Sequence, residues 1–134
     1  MMGQKYYSFA YILLPDELMA TQLIIDSATK LCLEIEADKE GSADLESLYI
    51  KAIFDLALLR QEHFVVTESA SFYRLSLEQR AVVYLRDQRE WSIEEIASTL
   101  GLEWDRLYCS LNLGRSKLMD MSIGSDLKAS SKLW

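Results

Sequence analysis

The sequence holds 134 residues, half of them hydrophobic, with five glycines and a single proline. That is enough apolar material for one compact domain or two small ones, and too few turn formers for a turn-rich β fold. The net charge of -7 is unusual for a nucleic-acid binder, and all of it sits in the first half: residues 1–71 carry five Lys/Arg against twelve Asp/Glu, residues 72–119 seven against seven, and residues 120–134 two against two.

Residues 6–14, YYSFAYILL, are apolar on nearly every side and predict a buried helix, because a strand here would find no partner strand downstream. The run falls far short of the roughly 20 residues that span a bilayer. It also lacks a small-residue cleavage site, so neither a membrane span nor a signal peptide is expected, and the location expected is the cytoplasm. Pro15 sits where a second helix begins, with Asp16 and Glu17 in its first turn against the positive end of the helix dipole. Leu18, Met19, Ala20, Leu23, Ile24, Ile25, Ala28, Leu31, Cys32 and Ile35 give it a broad apolar face as far as about Glu36. Residues 36–44 are polar and acidic and read as a loop. Leu45, Leu48, Tyr49, Ala52, Ile53, Leu56 and Leu59 then recur at spacings of three and one, which predicts a third helix packed on the first two.

Residues 64–74 connect this half to a second one over residues 75–119. Ser76 followed by Gln79, and Ser92 followed by Glu95, read as capping boxes at two helix starts. Ile93, Ile96, Ala97 and Leu100 line one face of a helix of about two turns, which Gly101 ends. A helix that short must pack on neighbours, and residues 101–104 are the right length for the sharp turn of a helix-turn-helix. On the last helix Trp104, Leu107, Leu111 and Leu118, with Gly114 allowing close approach, fall on a core stripe. Arg106, Cys109, Ser110, Leu113 and Lys117 fall opposite it, and Trp91 is expected in the core. Residues 120–134 are serine-rich and read as a fraying tail ending in Trp134. The fold class expected is all-α: a short helical bundle over residues 1–63, then a three-helix helix-turn-helix.

The second half resembles the promoter-reading helix-turn-helix, region 4, of the small extracytoplasmic-function sigma factors of RNA polymerase. Their pattern is roughly L-x-x-x-Q-R, an apolar helix, G-x-S-x-x-E-I-A-x-x-L-G-I, then T-V-K-S-R-L-x-R-A-x-x-x-L. Leu75, Gln79, Arg80, Ser92, Glu95, Ile96, Ala97, Leu100, Gly101, Leu111 and Leu118 fall in register with it. The positions read T-V-K-S-R are Arg106, Leu107, Tyr108, Cys109 and Ser110 here, and the later R-A pair is Leu113 and Gly114. The first half resembles region 2 of the same family more distantly, through an aromatic-rich helix and the turn at Leu14-Pro15-Asp16. Lys51 and Arg60 are its only Lys/Arg between Lys39 and Arg74, so a promoter-melting surface is not expected.

The resemblance implies two partners, promoter DNA and the RNA polymerase core or another transcription protein. In a helix-turn-helix the outward stripe of the last helix enters the major groove, where Arg and Lys read guanine and Asn reads adenine. The DNA-binding set is therefore Arg106, Ser110, Asn112, Arg115 and Lys117, with Arg106 toward a base edge and Arg115, Lys117 and Arg80 on phosphates. Tyr108, Cys109 and Leu113 fit a protein-covered surface better than a DNA-covered one, in a complex with a transcription protein or in a homodimer. Cys32 and Cys109 have no C-x-x-C partner and no nearby histidine, and read as small apolar fillers kept reduced. His63 has no acid, cysteine or serine constellation around it. No glycine-rich phosphate loop, metal-ligand cluster or activated nucleophile is present, so no enzyme, metal or cofactor is expected. Two functions remain open: a sigma-like regulator reading promoter DNA, and a sigma-derived protein-interaction module that no longer does so.

Overall fold

The computed structural model describes residues 2–37, 44–63 and 71–125. Most of the expected acidic loop, residues 64–70 of the connection, and residues 126–134 of the tail with Trp134 lie outside the described residues. The described residues form α-helices with short 3-10 and π turns and contain no strand, an all-α fold. The chain divides into two compact units, Met1–Val66 and Thr67–Trp134.

In the first unit α1 (Met2–Leu13), α2 (Glu17–Ala37) and α3 (Leu45–Arg60) pack on one another in all three pairs. The chain bends by 119° between α1 and α2. Asp16 opens α2: its Oδ2 accepts from the Met19 amide at 3.0 Å, which makes Asp16 the cap and leaves Pro15 just outside the helix. Asp44 caps α3 in the same way, accepting from the Glu46 amide at 3.2 Å and from Ser47 Oγ at 2.9 Å. Phe9, Leu13, Leu14, Leu23, Ile50 and Ile53 are fully buried, and each such side chain contributes about 1.5–3 kcal/mol.

The faces turned to this core overlap the expected ones only in part, at Ala20 and Leu23 of α2 and at Ala52 and Ile53 of α3. α3 buries Ile50, Ala52, Ile53, Phe54 and Ala57, whereas Leu45 and Leu59 at the ends of the expected stripe are exposed. Both stripes have helical spacing, so period alone cannot choose between them, and packing selects the one that carries Phe54. In α2 the fully buried strip narrows to Ala20, Leu23 and Ser27, while Leu18, Ile25 and Leu33 are exposed. Cys32 and Cys109 are both exposed free thiols, not the fillers the sequence suggests. Ser27 Oγ is buried without a hydrogen-bond partner, and no feature of the fold accounts for it.

Asp26 on α2 ties to α3, accepting from the Arg60 guanidinium and from Gln22 Nε2 at 2.9 Å. These hydrogen bonds, Arg60 first, hold its carboxyl below the usual carboxylate range. A folded-state value below the unfolded one of about 3.9 means stability that is present above that pH and lost as pH falls through the folded value. Thermal melts should show this loss at acid pH, and Asp26→Asn should flatten it. The effect should be small, because the Asp26 side chain is 34% exposed and water screens the pair.

In the second unit both capping boxes form. Ser76 and Gln79, and Ser92 and Glu95, exchange their side-chain and amide bonds at 3.1 Å, opening α4 (Leu77–Val83) and α5 (Ile93–Leu100). Between them the π turn Tyr84–Gln88 is followed by Glu90 at a φ of 56°, the left-handed region that favours glycine. Gly101 stops α5 at φ 71° and ψ 34°. After residues 101–103 comes α6 (Trp104–Ser125), which runs past residue 120, where the tail was expected to begin. Both α4 and α5 pack on α6. Trp91 is buried with Val82, Val83, Leu85 and Ile96. Among the described residues no single helix is long and apolar enough to cross a membrane.

Candidate functional site

α6 carries all of the expected site residues except Arg80, which lies on α4, and its placement follows from what it buries. Leu107, Leu111 and Leu118 are buried. Gly114 lets α6 meet α4 closely, since a Cβ there would lie 2.8 Å from Val83 Cγ2. This buried stripe is turned by a few tens of degrees, at about 100° per residue, from the expected one. Two residues change sides as a result. Ser110 is buried, with its Oγ donating to Glu78, and Trp104 is exposed.

Each expected DNA-reading cation is engaged within its own unit. Arg106 forks onto Glu78, with Nη2 at 2.7 Å from Oε1 and Nε donating to Oε2 at 3.3 Å. Arg115 forks onto Asp87, with Nε donating to Oδ2 at 3.1 Å and Nη2 to Oδ1. These hydrogen bonds hold both guanidiniums above their usual basicity. Lys117 Nζ lies 3.3 Å from Gln79 Oε1, the same oxygen that closes the first capping box. Arg80, expected on a phosphate, is buried instead. Its Nη1 donates to the carbonyls of Leu75 and Tyr73, and burial pulls its pKa down to about 10. Such a guanidinium secures the turn before α4 and is not available to a ligand. Arg86 likewise turns inward, donating to the Trp91 carbonyl at 2.9 Å.

Beside its exposed charged residues, Asp105, Arg106, Arg115 and Lys117, α6 presents large apolar side chains outward. Trp104 is 48% exposed, Tyr108 43%, Leu113 48% and Met119 66%, with Cys109 and Asn112 exposed among them. The Trp104 and Tyr108 rings sit one turn apart with centroids at 6.1 Å. The sequence reading includes Tyr108, Cys109 and Leu113 in this set and misses Trp104 and Met119. Met119 could have been found from its spacing of four from Arg115 and eleven from Tyr108. Glu78 and Asp87 carry no local signal, because each lies 28 residues from its partner.

Among the described residues no group of three His, Cys, Asp or Glu side chains could hold a metal ion. The first unit has a shallow cleft of about 100 Å³ lined by Lys30, Leu48, Lys51, Ala52 and Asp55, and Lys51 is paired with Asp55 at 3.6 Å. The side chain of His63 lies outside the described residues. Comparison of the chain with models of known families, with curated proteins and with solved structures finds no match.

Proposed function

We propose that this chain is a sigma-like protein of the transcription apparatus whose helix-turn-helix, α5 and α6, binds a protein partner through the outward face of α6. The partner is the RNA polymerase core or another transcription protein. One observation carries the choice of protein over DNA. Arg106, Arg115 and Lys117 are engaged by Glu78, Asp87 and Gln79, while Trp104, Tyr108, Leu113 and Met119 stand exposed. Trp104, Tyr108 and Met119 fall within about 60° of one another on α6, and exposed aromatic and aliphatic side chains grouped in this way suit a protein contact. A DNA-reading helix needs free cations first. The sigma resemblance gains support from Glu90: its left-handed backbone falls where the family's G-x-S phrase carries glycine. Co-elution of the full chain with RNA polymerase core on size exclusion is the test. Co-elution that survives moderate salt is expected, and a chain that binds promoter duplex but no core would overturn the reading.

A further inference from the structure

We infer that Glu78 and Asp87 decide which class of partner α6 accepts, by cancelling the field of the two guanidiniums that would otherwise draw a nucleic-acid backbone to this face. The inference rests on the reading of α6 as a protein-facing helix and names the residues that make it so. The two carboxylates act alike: each forks a guanidinium 28 residues further on, at the two ends of the contact between α6 and the region of α4. Three further cations of this unit are also engaged. Arg80 is buried under two carbonyls, Arg86 donates to the Trp91 carbonyl, and Lys117 turns to Gln79.

The strength of the two ion pairs is not what excludes DNA. Exposed pairs contribute little, and a phosphate could draw either guanidinium away from its carboxylate. The carboxylates, however, would stay. Glu78 is held by Ser110 Oγ and its side chain is only 17% exposed, and that of Asp87 is 27% exposed. Each would remain inside one Debye length, about 8–10 Å, of a phosphate that contacts the guanidinium it now holds. A phosphate would therefore meet a cation and an anion together. Contact with such a pair gives no net neutralisation and releases no counterion, which is the main source of affinity for a nucleic-acid backbone. An apolar protein surface gains from the same cancellation, since a guanidinium already paired with a carboxylate costs less to desolvate than an unpaired one.

The test compares Glu78→Gln/Asp87→Asn with the unaltered chain and with Glu17→Gln/Glu62→Gln, which removes the same charge from the first unit. Binding to a short labelled duplex of mixed sequence is read by fluorescence polarisation across a salt series, with helicity followed by circular dichroism. Gln and Asn keep a carbonyl oxygen for Ser110 and Arg115, so the contacts persist without the charge. The double variant should bind roughly tenfold tighter per freed guanidinium at low salt, with a slope of log affinity on log salt of about -2. The control should bind as the unaltered chain does, and each single variant should show about half the gain in log affinity. If the double variant loses helicity, the single variants give the reading. A double variant no tighter than the unaltered chain, or a control that gains equally, overturns the inference and leaves the protein-facing reading intact. Steeply salt-dependent binding by the unaltered chain overturns both.

Discussion

Gly114→Val should lower the stability of the second unit by about 2–3 kcal/mol, the upper part of the range for overpacking a filled core. The Cβ it introduces would lie 2.8 Å from Val83 Cγ2 and 3.6 Å from Gln79 Cβ. Val83 is fully buried and cannot easily turn aside, because a helical valine keeps essentially one rotamer. Relief therefore requires α4 and α6 to move apart, which loosens the contacts of Leu111 and Leu118 on the same stripe. Gly114→Ala should be milder, since alanine recovers up to about 1 kcal/mol of helix propensity. Adding Val83→Ala to Gly114→Ala should restore part of the loss, with a favourable coupling of about 1 kcal/mol in a double-mutant cycle. Urea unfolding followed by helicity measures all of these. An unchanged stability in Gly114→Val would mean that α4 and α6 do not meet at Gly114.

Leu113→Glu should weaken partner binding about 30-fold, the effect of roughly 2 kcal/mol at an interface anchor. The side chain is half exposed in the free chain, so the substitution leaves the fold alone and acts only where a partner would bury the new charge in apolar surroundings. Tyr108→Glu should act in the same direction for the same reason. Arg106→Ala should change little, because its guanidinium is already neutralised by Glu78. A DNA-reading helix would give the reverse order, with Arg106→Ala the damaging change and Leu113→Glu the mild one. Titration of labelled chain with RNA polymerase core, variant by variant, gives the order directly.

The parts of this fold written in local spacing were legible, and the parts set by contacts between distant segments were not. Both capping boxes, the glycine stop at Gly101 and the close approach at Gly114 are short-range requirements of backbone geometry, and single residues announce them. The buried face of α3 was legible only at Ala52 and Ile53, because Ile50, Phe54 and Ala57 repeat as well as Leu45, Leu48 and Tyr49 do. On α6 the same ambiguity was worth only a few tens of degrees, yet it was enough to bring Ser110 in and send Trp104 out. The charges of the site were misjudged for a stronger reason. Arg106, Arg115 and Lys117 read as free cations on a helix considered alone, and only the packing of α6 against α4 brings Glu78, Asp87 and Gln79 to them. Arg80 misled in the same way: it falls in register with the sigma pattern, but its role in this chain is to satisfy carbonyls at the turn before α4.

Oxidative side-chain footprinting of the chain alone, with RNA polymerase core, and with promoter duplex tests most directly whether protein covers α6. Trp104, Tyr108 and Met119 are exposed and oxidise readily in the free chain, whereas the buried Trp91 serves as an internal reference. Protection of these three side chains by core, with none by duplex, is the predicted result. Protection by duplex with none by core would contradict it.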